Sequence, residues 1–139
     1  MGHRAIATLV RVVVRLVVML AALAAYYAAI PLLFADDSGA NIGAGLISFA
    51  LVVLVSLGWA YVDGRRRGAS PTMVTWAIVA VAFGLAWLLG LALVEPDDSM
   101  SLVERLRFDA FLAVWGAGLV LVPAGLGAGL GGGTPRSDG

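Results

Sequence analysis

The sequence predicts an all-α integral membrane protein: a four-helix antiparallel bundle, running up-down-up-down, with both termini in the cytoplasm. Hydrophobic residues make up 61% of the 139 residues and charged residues 13%, whereas a soluble domain is about 45–50% apolar and about a quarter charged. Four apolar runs of 22 to 24 residues follow one another, and each is long enough to cross a hydrocarbon core of about 30 Å. The short segments between them favour antiparallel packing of successive helices.

The first span is predicted over about residues 12–34 and is interrupted only by Arg15. Its arginine-rich start and small residues also fit a secretory signal peptide cleaved near Ala24. A retained helix is favoured, because the apolar run continues through Pro31 to Phe34 and is longer than a signal-peptide core.

The second and third spans are predicted over about residues 41–62 and 71–94, and neither contains a charged residue. Ser70 and Pro71 suit the N-cap and first helical position of the third. The fourth helix is predicted over 102–130, because Ser101 and Glu104 have capping-box spacing. Residues 131–139 are predicted to form a flexible tail of a single domain covering 1–139.

Arginine placement predicts the orientation of the helices. Seven arginines fall on one side and two on the other, so the positive-inside rule puts the first side in the cytoplasm. Seven acidic residues fall outside and two inside, which gives formal charges of +5 inside and −5 outside. The expected location is the inner (plasma) membrane of a bacterium. A bacterial source is expected because arginine takes every basic position and lysine is absent. The inside arginines are Arg4, Arg11, Arg15, Arg65, Arg66, Arg67 and Arg136.

Several function classes are disfavoured by the residues that the chain lacks. It has no cysteine and a single histidine, His3, in the N-terminal tail. No nucleophile with a base, and no cluster with metal-ligand spacing, can be assembled from the sequence, so we expect a non-enzymatic protein without cofactor or metal. The few inside arginines lie close to the membrane, which argues against a nucleic-acid partner.

The outer loops contain a repeated acidic triplet. Asp-Asp-Ser occurs at residues 36–38 and again at 97–99, a match that raises the hypothesis of a duplicated helical hairpin. These acids could supply oxygen ligands to a divalent cation, although solvated loop acids are the favoured interpretation. The candidate cation site consists of Asp36, Asp37, Glu95, Asp97 and Asp98.

Basic residues at the cytoplasmic ends of the first two spans form a candidate site for lipid headgroups. The favoured alternative is that these side chains reach the interface only to fix the topology. The residues are Arg11, Arg15, Arg65, Arg66 and Arg67.

Small residues at four-residue spacing predict faces on which helices approach closely in lipid. Packing within the bundle explains most of them, and self-association or docking onto a partner is the further hypothesis. The candidate packing residues are Ala21, Ala25, Ala29, Ala82, Ala86, Gly90, Gly125 and Gly129.

Two functions remain from the sequence. The favoured one is an accessory or structural subunit that packs, within the lipid bilayer, against a larger membrane protein or against copies of itself. The alternative is an oligomeric channel or transporter for a small, weakly polar solute, since four helices leave no wide aqueous path within one chain. Its pore-lining candidates are Asn41, Ser48, Ser56, Thr72 and Thr75.

Overall fold

The computed structural model describes residues 2–33, 40–94 and 101–133. Within these ranges the chain forms four α-helices and no strand: α1 (His3–Leu33), α2 (Ala40–Arg67), α3 (Ala69–Val94) and α4 (Leu102–Gly132). Each helix contains a stretch of 22 to 26 residues that is long and apolar enough to cross a membrane. The predicted all-helical fold, with four helices long and apolar enough to span a membrane, is confirmed.

All four helices extend beyond the predicted spans. α1 begins at His3, nine residues before the predicted start, and α2 continues through Arg67. Three arginines occupy the last turn of α2, where positive side chains interact favourably with the helix dipole. α4 continues to Gly132, so the first two residues of the predicted tail are helical, and residues 134–139 lie outside the described residues.

One residue, Gly68, separates α2 from α3. Its φ of 89° lies in the left-handed region, and its N–H donates to the Gly64 carbonyl oxygen at 2.8 Å. This geometry is a helix C-terminal cap that glycine adopts without steric cost. α3 then begins at Ala69, so Ser70 is not the N-cap that the sequence predicts. Pro71 is still tolerated, because first-turn N–H groups have no intrahelical partner.

The capping box predicted at the start of α4 is confirmed. The Glu104 N–H donates to Ser101 Oγ at 3.4 Å, while the Ser101 N–H and hydroxyl donate to Glu104 Oε2 at 3.1 and 2.8 Å. These bonds satisfy backbone groups that the helix itself leaves unpaired.

The capping box is expected to loosen in acid. The hydrogen bonds from the Ser101 hydroxyl and backbone lower the pKa of Glu104, so the carboxylate stabilises this end of α4 above the usual glutamate pKa of about 4.3. That contribution is lost as the pH falls below this value and through the lower pKa of the folded state. NMR amide shifts of Ser101 and Glu104 should therefore titrate together in this range. Glu104→Gln should keep the box and abolish the titration; an unchanged titration would contradict the assignment.

α4 packs along both α2 and α3, and its contact with α2 is the most extensive in the molecule. A Cβ added at Gly127 or Gly131 would overlap the carbonyl oxygen of Leu57 or Tyr61. Leu57 and Tyr61 of α2 thus lie beside Gly127 and Gly131 of α4 in the same order. The two helices therefore run in the same direction. The sequence predicts that successive helices are the main neighbours, but the most extensive contact is between α2 and α4, which do not follow one another in the chain.

α3 and α4 run in opposite directions and also approach closely. A Cβ at Gly84 would lie 2.6 Å from the Ala113 carbonyl oxygen. The largest fully buried side chains, Trp76, Phe83, Val79 and Val120, fill the space between these helices and their neighbours.

α1 is the peripheral helix. It packs against α3 and α2 much less extensively than α4 does, and within the described residues no Cα atom of α1 lies within 8 Å of a Cα atom of α4. Its buried face consists of Val12, Arg15, Met19 and Leu23. A duplicated hairpin with two-fold symmetry would require the α1–α2 and α3–α4 pairs to pack alike, and they do not.

Candidate functional site

A buried ion pair joins α1 to α2. Arg15 and Asp63 are 3% and 4% exposed, and the Arg15 guanidinium donates to Asp63 Oδ2 from both Nε, at 3.1 Å, and Nη2. The third nitrogen, Nη1, donates to the Arg11 carbonyl oxygen at 2.9 Å. All three nitrogens of the guanidinium group thus have an acceptor, as a charge buried away from water requires.

Two tryptophans enclose the Arg15 guanidinium. Its central carbon lies 5.3 Å from the Trp59 ring centroid and 5.8 Å from that of Trp76. At these distances an arginine is attracted to the negative faces of the rings. The two rings contact each other edge to face at 6.2 Å, so α2 and α3 together supply an aromatic wall around the cation.

Asp63 is shared among three helices. Besides Arg15 of α1, the Trp76 indole N–H of α3 donates to Asp63 Oδ2 at 3.4 Å. Arg67, one turn further along α2, places Nη2 3.6 Å from Oδ1. The Asp63 carboxylate therefore links α1, α2 and α3. The link matters most for α1, because α1 packs least extensively against its neighbours.

The structure changes the interpretation of Arg15. The sequence suggests a headgroup contact or an interfacial side chain, whereas the guanidinium points into the protein. The predicted second span ends one residue before Asp63, but α2 continues through Asp63 and the side chain is buried. The sequence contains a signal for each partner: Arg15 is the one cation inside an apolar run, and Asp63 is an acid close to three arginines. It does not show how α1 and α2 align, and so it does not show that these two residues meet.

The remaining candidate headgroup arginines lie around this pair. Arg11 and Arg67 are half-buried, and Arg65 and Arg66 are exposed.

A second polar contact joins the later part of α1 to the earlier part of α2. The Tyr27 hydroxyl and Ser48 Oγ are 3.1 Å apart, and Ser48 also donates to the Gly45 carbonyl oxygen. Ser48, Ser56, Thr72 and Thr75, four of the five pore-lining candidates, are all buried; the side chain of Asn41 lies outside the described residues.

Two of the buried hydroxyls have no hydrogen-bond partner among the described residues: Ser56 Oγ and Thr72 Oγ1. Thr75, by contrast, donates to the Pro71 carbonyl oxygen at 3.0 Å. Buried polar groups normally have a partner.

The residues of the predicted small-residue faces differ in their exposure. Ala21, Ala25 and Gly129 are exposed, while Ala29, Ala82, Ala86, Gly90 and Gly125 are half-buried. The tightest backbone approaches instead use Gly64, Gly84, Gly127 and Gly131. Sequence spacing alone did not distinguish the two rows of small residues on α4.

The five acids of the candidate cation site, Asp36, Asp37, Glu95, Asp97 and Asp98, lie outside the described residues. Across the described part of the chain, no group of three or more histidine, cysteine, aspartate or glutamate side chains could hold a metal ion.

Four helices long and apolar enough to cross a membrane indicate a multi-pass membrane protein. Comparison with protein-family models, with curated proteins and with solved structures finds no match to the chain.

Proposed function

We propose that this chain is a small non-enzymatic accessory or structural subunit of a bacterial plasma membrane. In this proposal its helices form an antiparallel bundle with both termini in the cytoplasm. The subunit docks onto another membrane protein, or onto a second copy, through the outer face of α1.

The observation that carries the proposal is the position of α1. This helix contacts its neighbours far less than α4 does, and it presents Ala21 and Ala25 on its exposed side. Small residues on a membrane helix permit a second helix to approach closely, and packing of this kind drives association in lipid. The fold itself leaves this face of α1 uncovered.

The buried ion pair supports the same proposal. Arg15 and Asp63 satisfy each other inside the protein, so their charges fix the position of α1 against α2. A helix held by the Arg15–Asp63 pair and the Tyr27–Ser48 contact keeps a defined orientation while most of its surface stays available for a partner.

Cross-linking from α1 tests the proposal, and the absence of native cysteine makes single-cysteine variants simple to produce. Ala25→Cys, labelled with a benzophenone maleimide in native membranes, should give one discrete adduct upon illumination. Its mass, determined after gentle extraction, identifies either a larger partner or a second copy.

Leu85→Cys provides the matched control. Leu85 is exposed on α3 at the depth of Ala25, because Arg15 and Trp76 fix the register of α1 and α3. It should give only diffuse lipid adducts. Equal labelling patterns at the two positions, or no protein adduct at either, would contradict docking through α1.

A channel or transporter for a small, weakly polar solute is the second candidate. The unpartnered hydroxyls of Ser56 and Thr72 favour it, because a polar solute or water could bond to them. Glycerol or urea flux into proteoliposomes that is abolished by Ser56→Val, with the oligomer intact, would favour this function over the accessory one.

A further inference from the structure

We propose that the outer face of α4 binds a second copy of this chain, so that two subunits pair about a two-fold axis along the membrane normal. We call this surface the α4 face. It consists of Glu104, Arg107, Phe111, Trp115, Gly118 and Val122. The inference goes beyond docking through α1 and does not depend on it, because within the described residues α1 and α4 are not close neighbours.

The α4 face lies opposite the buried side of its helix. Its members follow one another at spacings of three or four residues, which places them on one side of an α-helix. Val120, Ala124 and Ala128 lie on the other side and are fully buried, where α4 packs along α2 and α3. Gly118 is half-buried and the other five members of the face are exposed. The described part of the chain therefore leaves this side of α4 uncovered.

The charged end of the α4 face is complementary to itself. Glu104 and Arg107 carry opposite charges and lie three residues apart, about 4.5 Å along the helix axis. In a two-fold pair each residue has the same depth in both copies, so Glu104 of each copy comes within reach of Arg107 of the other.

Both side chains are available for this contact. The capping box uses Oε2 of Glu104, so Oε1 is the acceptor for Arg107. Arg107 itself makes no ion pair with the described residues. Two reciprocal ion pairs across the axis favour a second copy as the occupant, because a hydrocarbon chain of a lipid offers no charge to either group.

The middle of the α4 face has room for a second helix. A Cβ at Gly118 would have nothing within 4 Å, and beside it a groove of about 410 Å³ between α2 and α4 is bordered by Leu57 and Trp115. Helical side chains lean toward the N-terminus of their helix, so Val122 of each copy leans toward Gly118 of the other where the helices cross. Close packing of a side chain against a glycine drives helix association in lipid.

The crossing point also limits the length of the contact. Gly129 lies on the same side of α4 as Gly118, eleven residues further along, which is about 16 Å. Membrane helices cross at angles of about 20–40°, so the two copies of α4 have moved apart at this distance. Gly129 is therefore a control position on the same helix.

Cysteine cross-linking in native membranes tests which face pairs. Phe111→Cys should give a dimer with a short bismaleimide, because a residue on a two-fold interface faces its own copy. Leu85→Cys is the matched control. Leu85 is exposed on α3 and lies at a similar depth, since its neighbour Gly84 approaches Ala113 of α4. It should stay monomeric.

Sedimentation equilibrium in a neutral detergent measures the strength of the pair. Gly118→Ala should weaken dimerisation about tenfold, because the added methyl group overpacks the crossing point. The melting temperature, measured at a dilution at which the unmodified chain is monomeric, should not fall, because nothing in the subunit lies near the new Cβ. Gly129→Ala should leave dimerisation unchanged.

A charge reversal tests the ion pairs. Arg107→Glu should weaken dimerisation about fivefold, because carboxylates would then face one another across the axis. Arg65→Glu is the charge-matched control at the other end of the bundle, where Arg65 is exposed in the last turn of α2. It should have no effect on dimerisation.

Equal cross-linking at Phe111 and Leu85, or equal losses with Gly118→Ala and Gly129→Ala, would overturn the proposal. A chain that stays monomeric at every ratio of protein to lipid would also overturn it, since lipid alone would then cover the α4 face. An adduct of Phe111→Cys to a different protein only would do the same. A failure of the Ala25 cross-link would refute docking through α1 and leave this pair intact, because neither assay uses α1.

Discussion

Asp63→Ala is expected to lower the free energy of unfolding by about 3–5 kcal/mol, the largest polar effect in the molecule. The reason is that Arg15 would keep its charge and its buried position while losing the carboxylate that accepts from Nε and Nη2. Trp76 would lose its acceptor as well. Equilibrium unfolding in mixed detergent micelles, followed by helical circular dichroism, measures the change.

The double variant Arg15→Met/Asp63→Leu separates the cost of an unpaired charge from the value of the pair. Replacing both partners of a buried pair with apolar residues is often neutral or stabilising, so this variant should recover most of the lost stability. A loss below about 1 kcal/mol for Asp63→Ala, or no recovery in the double variant, would contradict a buried, fully paired Arg15.

Gly127→Ala is expected to destabilise the protein by about 3 kcal/mol or more, at the upper end of the cost of overpacking. The added methyl group would overlap the Leu57 carbonyl oxygen and lie 3.0 Å from the Tyr61 nitrogen. Both are backbone atoms, so no side-chain rotation relieves the contact and α4 must move away from α2. The same unfolding measurement applies.

Gly129→Ala provides the control on the same helix. Nothing lies within 4 Å of a Cβ at this position, so the variant should be neutral or more stable by roughly 0.5–1 kcal/mol, because alanine favours the helix. Equal effects at Gly127 and Gly129 would show that helix propensity, and not the α2–α4 contact, determines the outcome.

Composition and the apolar runs were sufficient to predict four membrane-suited helices, because a span needs only length and hydrophobicity. The α4 capping box was predictable for a similar reason: Ser101 and Glu104 interact within one turn. Both features are encoded by residues close together in the chain, although the N-cap predicted at Ser70 from a signal of the same kind was wrong.

The Arg15–Asp63 pair was not predictable in the same way, because 48 positions separate its members. Only the register of α1 against α2 brings them together, and that register depends on how all four helices pack. The extent of α2 was a second obstacle: an acid followed by three arginines looks like the end of a span, yet the helix continues through them.

The glycines of α4 illustrate the same limit. Gly125 and Gly129 form one row with four-residue spacing, and Gly127 and Gly131 form another. The sequence contains both rows, but only the position of α2 determines that the second is the contact row. Rotating α4 by about half a turn would exchange their roles.

The parallel contact between α2 and α4 also has a consequence for biosynthesis. Gly127 leaves the ribosome about 70 residues after Leu57, which at roughly 5–20 residues per second is several seconds. During that interval α2 is in the membrane without its principal neighbour, and its early contacts are the thinner ones to α1 and α3. α4 completes the interior beside α2, so a nascent chain arrested before α4 leaves the backbone of α2 at Leu57 and Tyr61 without its close neighbour.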